Sequence, residues 1–83
     1  MSGAKHEFTV YVRHSCHLCD DLLTVLNEHL DTYSEPYSLV IIDITGNSEL
    51  ENLHGQFVPV LHESGNEICH YFFDAKQWNE YFS

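Results

Sequence analysis

The stretch RHSCHLCDD, residues 13–21, holds two cysteines two residues apart, with an arginine and a histidine before them and two aspartates after. The segment leading into it, EFTVYVR (residues 7–13), is rich in β-branched and aromatic residues and reads as a strand, one placed centrally in its sheet. The segment leading out of it is helical. Leu18, Leu22, Val25, Leu26 and Leu30 recur at three- and four-residue spacing, which puts them on one face of a helix from about Cys16 to Leu30. Ser15 offers a side-chain oxygen ahead of that helix, and Asp20 and Asp21 suit the positive end of its dipole. The cysteine pair therefore sits where a strand hands over to a helix.

The remaining elements extend outward from this junction. Asp31 to Pro36 is a turn, because Pro36 cannot continue a helix and biases Glu35 toward extended backbone. YSLVIIDI (37–44) is a second strand, and its unbroken LVII predicts cover on both faces. Asn47 or Ser48 caps a short helix; Ser48 and Glu51 have capping-box spacing, and Gly55 is placed to close it in the left-handed conformation. FVPVLH (57–62) is a third strand interrupted by Pro59, ESGN (63–66) a hairpin turn, and Glu67 to Phe72 the returning strand. Asp74 and Gln77 again have capping-box spacing, ahead of a last helix from about Ala75 to Phe82. The order β-α-β-α-β-β-α, with parallel first strands and an antiparallel hairpin, predicts an α/β fold: a mixed four-stranded sheet with helices on both faces.

Composition bounds the function. Eighty-three residues form one domain, 1–83, with 43% hydrophobic residues and no internal repeat or linker. Thirteen acids against three bases (Lys5, Arg13, Lys76) give a charge of −10, which argues against nucleic acid and anionic lipid as partners. No run approaches the roughly 18 apolar residues of a membrane span. MSGAKHE carries no apolar leader, so a cytoplasmic address is expected. The odd count of three cysteines argues against a purely structural disulfide framework. Cys69, between Ile68 and His70, is expected to be a buried small hydrophobe.

The junction suits sulfur chemistry. Free N–H groups and the dipole at a helix N-terminus favour a thiolate and lower a cysteine pKa from near 8.5 into the range of roughly 3.5–7.5. Arg13, His14 and His17 would help; Asp20 and Asp21 oppose. One helical turn separates the sulfurs, within bridging reach. Cys16, the more exposed, is expected to be the nucleophile and Cys19 the resolving thiol.

YVRHSCHLC resembles the active-site signature of glutaredoxins, and FVPV resembles the second signature of the thioredoxin fold, a valine followed by a cis proline. CHLCD, VPVL and EICHYFFDAKQW are similar to a group of small bacterial glutaredoxin-like proteins; the resemblance runs from about Phe8 to Trp78. It implies a thioredoxin-like, glutaredoxin-type fold. It also implies thiol–disulfide oxidoreductase activity through Cys16 and Cys19 without a bound organic cofactor. A substrate surface would include Arg13, His17, Leu18, Val58, Pro59 and Asp74. By matching position, Arg13 would meet the carboxylate of glutathione as co-substrate, and the Val58 backbone would pair with an extended substrate. The chain departs from the family where glutathione-binding members carry a Gly-Gly pair: here stands CHYFFD, of which only Asp74 matches. His17 and Leu18 replace the usual proline and aromatic. With the charge of −10, these departures argue against strong glutathione binding and make a protein disulfide or another small thiol an equal partner. Two other readings stand beside this one. His14, Cys16, His17 and Cys19 offer four possible zinc ligands, although a single Cys-x-x-Cys is only half of a common zinc site, or the cysteines bridge an iron–sulfur cluster between chains. Alternatively, the domain is a redox-inactive interaction module. A monomer is expected.

Overall fold

The computed structural model describes residues 5–83. Residues 1–4, on which part of the leader reading rests, lie outside the described residues. Among the described residues, seven elements occur in the expected order: β1 (His6–Val12), α1 (His17–Asp31), β2 (Tyr37–Asp43), α2 (Ser48–His54), β3 (Val60–Glu63), β4 (Asn66–His70) and α3 (Ala75–Phe82). The sheet order is β2-β1-β3-β4, with β1 central. β1 runs parallel to β2 and antiparallel to β3, and β3 pairs antiparallel with β4. Ser64 and Gly65 both take positive φ (49° and 87°), the backbone that a tight two-residue hairpin requires.

Period-two alternation decides what β1 buries. Phe8 and Val10 are fully covered, whereas Thr9 and Tyr11 are half-covered on the other face. Phe8 and Val10 meet Leu22, Leu26 and Leu30 of α1, Leu61 of β3, Ile68 and Cys69 of β4, and Trp78 of α3. Burial of each such leucine contributes roughly 1.5–3 kcal/mol, so this face carries most of the stability. On the opposite face Tyr11 stacks on His54 of α2 at 4.0 Å, which sets helices on both sides of the sheet.

Six sequence expectations are corrected. β2 is an edge strand, not a doubly covered one: Val40 and Ile41 are 52% and 51% exposed. An apolar run cannot by itself tell an edge from a centre, because strand order is set by long-range pairing. Val25 lies outside the buried α1 stripe, at the margin of its face. The α1 cap is Cys16, not Ser15; Ser15 takes φ +56° to turn the chain, and Cys16 Sγ accepts from the Cys19 N–H at 3.1 Å. β3 begins at Val60, after the proline, and β4 ends at His70, because Tyr71 leaves the ladder with φ +66°.

Gly55 is the sixth. It closes α2 in the right-handed conformation, φ −55°, so handedness is not what it supplies. It supplies room: a Cβ there would lie 2.5 Å from the Glu51 carbonyl oxygen and 2.9 Å from Arg13 Nη2. Gly55→Ala is therefore expected to cost about 1–3 kcal/mol, as overpacking does, read as a lower urea midpoint at unchanged m. An unchanged midpoint would mean that α2 shifts freely. The α2 cap itself is Asn47, whose Oδ1 accepts from Leu50 N at 3.0 Å. Asp74 caps α3 as expected, accepting from Lys76 N and Gln77 N at 2.9 and 3.3 Å.

Candidate functional site

Three segments converge at one end of the sheet. β1 delivers Arg13 to Cys19 past its C-terminal end. Because Tyr11 pairs with Val60 in the antiparallel ladder, Val58 and Pro59 lie at that same end. Because Val60 pairs with His70, so does the segment from Tyr71 to Asp74, and Tyr71 N donates to Pro59 O at 2.8 Å. The strands concerned, β1, β3 and β4, are neighbours, so the three segments stand side by side.

Cys16 and Cys19 are joined by a disulfide, with Cα atoms 5.2 Å apart. Cys16 is half-buried, whereas Cys19 is 2% exposed and faces the core. An attacking group can therefore reach Cys16 and not Cys19. The Cys19 N–H already points at Cys16 Sγ, and α1 is fifteen residues long. A thiolate released at Cys16 would meet both that donor and the helix dipole. The loop is anchored from outside: His14 N donates to Thr45 Oγ1 at 2.9 Å, and Thr45 N donates to Asp43 Oδ1 at 2.9 Å. The Thr45 hydroxyl and then its backbone N–H, both directed at Asp43, hold that carboxyl below its ordinary range.

His17 and Leu18, between the cysteines, are both exposed, and His17 Nε2 lies 3.3 Å from Asp21 Oδ2. The Val58–Pro59 bond is cis; Pro59 is buried and Val58 half-buried. Arg13 turns away to α2, where Nη2 pairs with Glu51 and donates to Gly55 O at 3.1 Å; its Nε is buried without a partner. Asp74 uses its carboxylate on the α3 cap. Cys69 is free and buried, and burial pushes its thiol up, away from reactivity. Among the described residues, no three His, Cys, Asp or Glu side chains come together in a way that could hold a metal ion. No helix among the described residues is long and apolar enough to cross a membrane.

Sequence reasoning missed the partners of Arg13. Glu51 lies 38 positions away, and no local pattern marks the pair. It also missed the exposure of the aromatic residues beside Pro59, since apolar side chains are read by default as core. Phe57, Tyr71 and Phe72 are all exposed.

Comparison with known proteins agrees with this geometry. The chain is similar to protein Ne2328 of Nitrosomonas europaea, known from a solution NMR structure. The two share 34% identity over 94% of this chain and 92% of that one, with a TM-score of 0.78. It is also similar to protein XcR50 of X. campestris, known from an X-ray structure, at 29% identity over 90% of this chain and 93% of that one, with a TM-score of 0.71. No curated protein matches. The glutaredoxin-like domain (DUF836) matches residues 7–83, and with nearly its whole length covered the chain belongs to that family.

Proposed function

We infer that the protein is a thiol–disulfide oxidoreductase working through Cys16 and Cys19. The observation that carries the reading is the asymmetry of the pair. The two cysteines stand at bridging distance, Cys16 can be reached at a helix N-terminus, and Cys19 is closed off behind it. In the dithiol form, Cys16 thiolate attacks one sulfur of a substrate disulfide. The substrate S–S bond breaks, a mixed disulfide forms, and the departing thiolate takes a proton. Cys19 then loses its proton and attacks Cys16 Sγ, releasing the second substrate thiol. Two electrons have passed to the substrate, and the Cys16–Cys19 bridge is restored. An external thiol reductant returns it to the dithiol. The cycle needs no bound organic cofactor.

Val58 precedes β3 at the site end, and an extended substrate would pair with its backbone, while His17 and Leu18 line the approach to Cys16. Arg13 and Asp74 are less available than the family pattern implies, since each is engaged within the fold. With the charge of −10, this disfavours glutathione as the main substrate. The reading is tested by mixing reduced, chelator-treated protein with bis(2-hydroxyethyl) disulfide. Cys16 and Cys19 are expected to become protected from alkylation together, with stoichiometric release of 2-mercaptoethanol, while Cys69 stays a free thiol. Persistence of both thiols would contradict it.

A further inference from the structure

Beside Pro59 runs a continuous strip of aromatic side chains that the exchange cycle does not use. Phe57 lies 5.4 Å from the His70 ring, His70 lies 4.7 Å from Tyr71, and Tyr71 lies 6.4 Å from Phe72. Phe57 and Phe72 are 42% and 63% exposed, and Leu18, between the cysteines, is exposed as well. Tyr71 is held in the left-handed region, φ +66°, where a bulky residue is uncommon and glycine would be at ease. Its ring is nevertheless fixed by a hydrogen bond from the hydroxyl to Gln56 O at 2.8 Å. The fold thus retains a tyrosine in an unfavourable backbone conformation and keeps a row of apolar surface open.

The charges around this strip select among ligands. Asp20 and Asp21 stand exposed on a segment at this end of the sheet, and the Arg13 guanidinium is engaged by Glu51. Lys5 pairs with Glu35 at the opposite end, and Lys76, beside Asp74 in the first turn of α3, is the remaining base. A small anionic disulfide gains little here. An extended chain with apolar side chains for the strip and positive charge for the aspartates gains on both counts.

We propose that Phe57, Tyr71 and Phe72 form the docking strip for an extended polypeptide whose cystine is flanked by apolar and basic residues, and that such proteins, not glutathione disulfide, are the substrates of the Cys16–Cys19 pair. The proposal rests on the oxidoreductase reading above, and its test separates the two. Reduced protein is assayed with three substrates: a peptide disulfide with Phe, Leu and Lys flanks, the same peptide with Glu and Ser flanks, and bis(2-hydroxyethyl) disulfide. The first peptide is expected to react with kcat/KM about tenfold or more above the second, a difference of about 1.4 kcal/mol. In the Phe57→Ala/Phe72→Ala variant and in Tyr71→Gly that advantage is lost, while the rate with the small disulfide is unchanged. Equal rates for the two peptides, or variants that keep the advantage, would overturn the strip. If the small disulfide is not reduced either, the exchange chemistry has failed, and the strip is judged by binding. Saturable affinity for the Phe/Leu/Lys peptide with serine in place of cysteine, lost in the variants, supports docking; no affinity overturns it.

Discussion

Cys16→Ser is expected to abolish disulfide exchange, with activity falling by at least about a hundredfold, whereas Cys19→Ser is expected to accumulate a covalent mixed disulfide. Cys16 is the sulfur an incoming disulfide can reach, and it alone caps α1. Without it no thiolate stands at the helix N-terminus, and Cys19 is too enclosed to substitute. Without Cys19 the first attack still takes place, but nothing nearby displaces the product: Cys69 is buried in the core, with its thiol pushed up by burial. Intact-mass spectrometry after incubation with a peptide disulfide separates the cases. The Cys19→Ser protein should carry the peptide mass on Cys16, released by dithiothreitol, and the Cys16→Ser protein should not. Equal turnover by both variants would remove the assignment of roles.

His6→Gln is expected to destabilise the fold by about 1–2 kcal/mol and to remove a pH dependence. His6 opens β1 at the end of the sheet opposite the cysteines. Its ring nitrogens face two carboxylates, Glu35 Oε2 through Nε2 and Glu63 Oε2 through Nδ1, the latter at 3.1 Å. The His6 and Glu63 side chains are both 13% exposed, so the pair is partly buried and partly screened by solvent. A hydrogen bond to a charged group is worth about 1.5–3 kcal/mol, and the partial exposure of both side chains discounts it. Glu63 keeps its hydrogen bonds from Tyr81 at 2.7 Å and Ser64 at 2.9 Å, which puts the cost at the lower end.

The hydrogen bond to Glu35 raises the His6 pKa above 6.5; burial opposes this, and Glu63 adds to the rise. The unfolded chain lacks these contacts. The stabilisation is therefore fully present below pH about 6.5 and is lost as pH rises through the raised folded value. The carboxylates set the acid limit. Glu35 is held low by its hydrogen bonds from His6 and Lys5. For Glu63, burial works upward, but hydrogen bonds from Tyr81, His6 and Ser64 outweigh it. Their contribution is present above pH about 4.5 and is lost as pH falls through the depressed values. His62 acts in the opposite sense to His6: burial, with His54 nearby, lowers its pKa, so its contribution is lost as pH falls below 6.5. Urea midpoints across pH 5–9 isolate His6 by difference. The parent should lose stability relative to His6→Gln as pH rises past neutrality, and a constant difference would contradict the bridging role.

How far the sequence could be read depends on how local each feature is. The strand-to-helix junction at Cys16 was legible, because it rests on the alternation of residues 7–13 and the spacing of Leu22, Leu26 and Leu30. The Asp74 cap was legible for the same reason. The edge position of β2 was not, since LVII reads alike whether a strand is covered on one side or two. Gly55 was recognised as special for the wrong reason, because the side chain that needs its space comes from 42 positions away. The His6–Glu63 pair spans 57 positions and leaves no periodic trace. At the site, the cysteines announced themselves by spacing, but the convergence of residues 58–59 and 71–74 depends on the register of three strands.

The central claim, that Cys16 and Cys19 interconvert between dithiol and disulfide as a working couple, is tested most directly by its reduction potential. Metal-free protein is equilibrated in graded dithiol/disulfide buffers, quenched, alkylated and its free thiols counted by mass. The account predicts one two-electron transition within the range of about −120 to −270 mV spanned by known oxidoreductases, with Cys69 remaining a thiol throughout. A pair that stays reduced across the whole series, or a bridge that resists reduction to well below about −300 mV as a structural disulfide does, would contradict it.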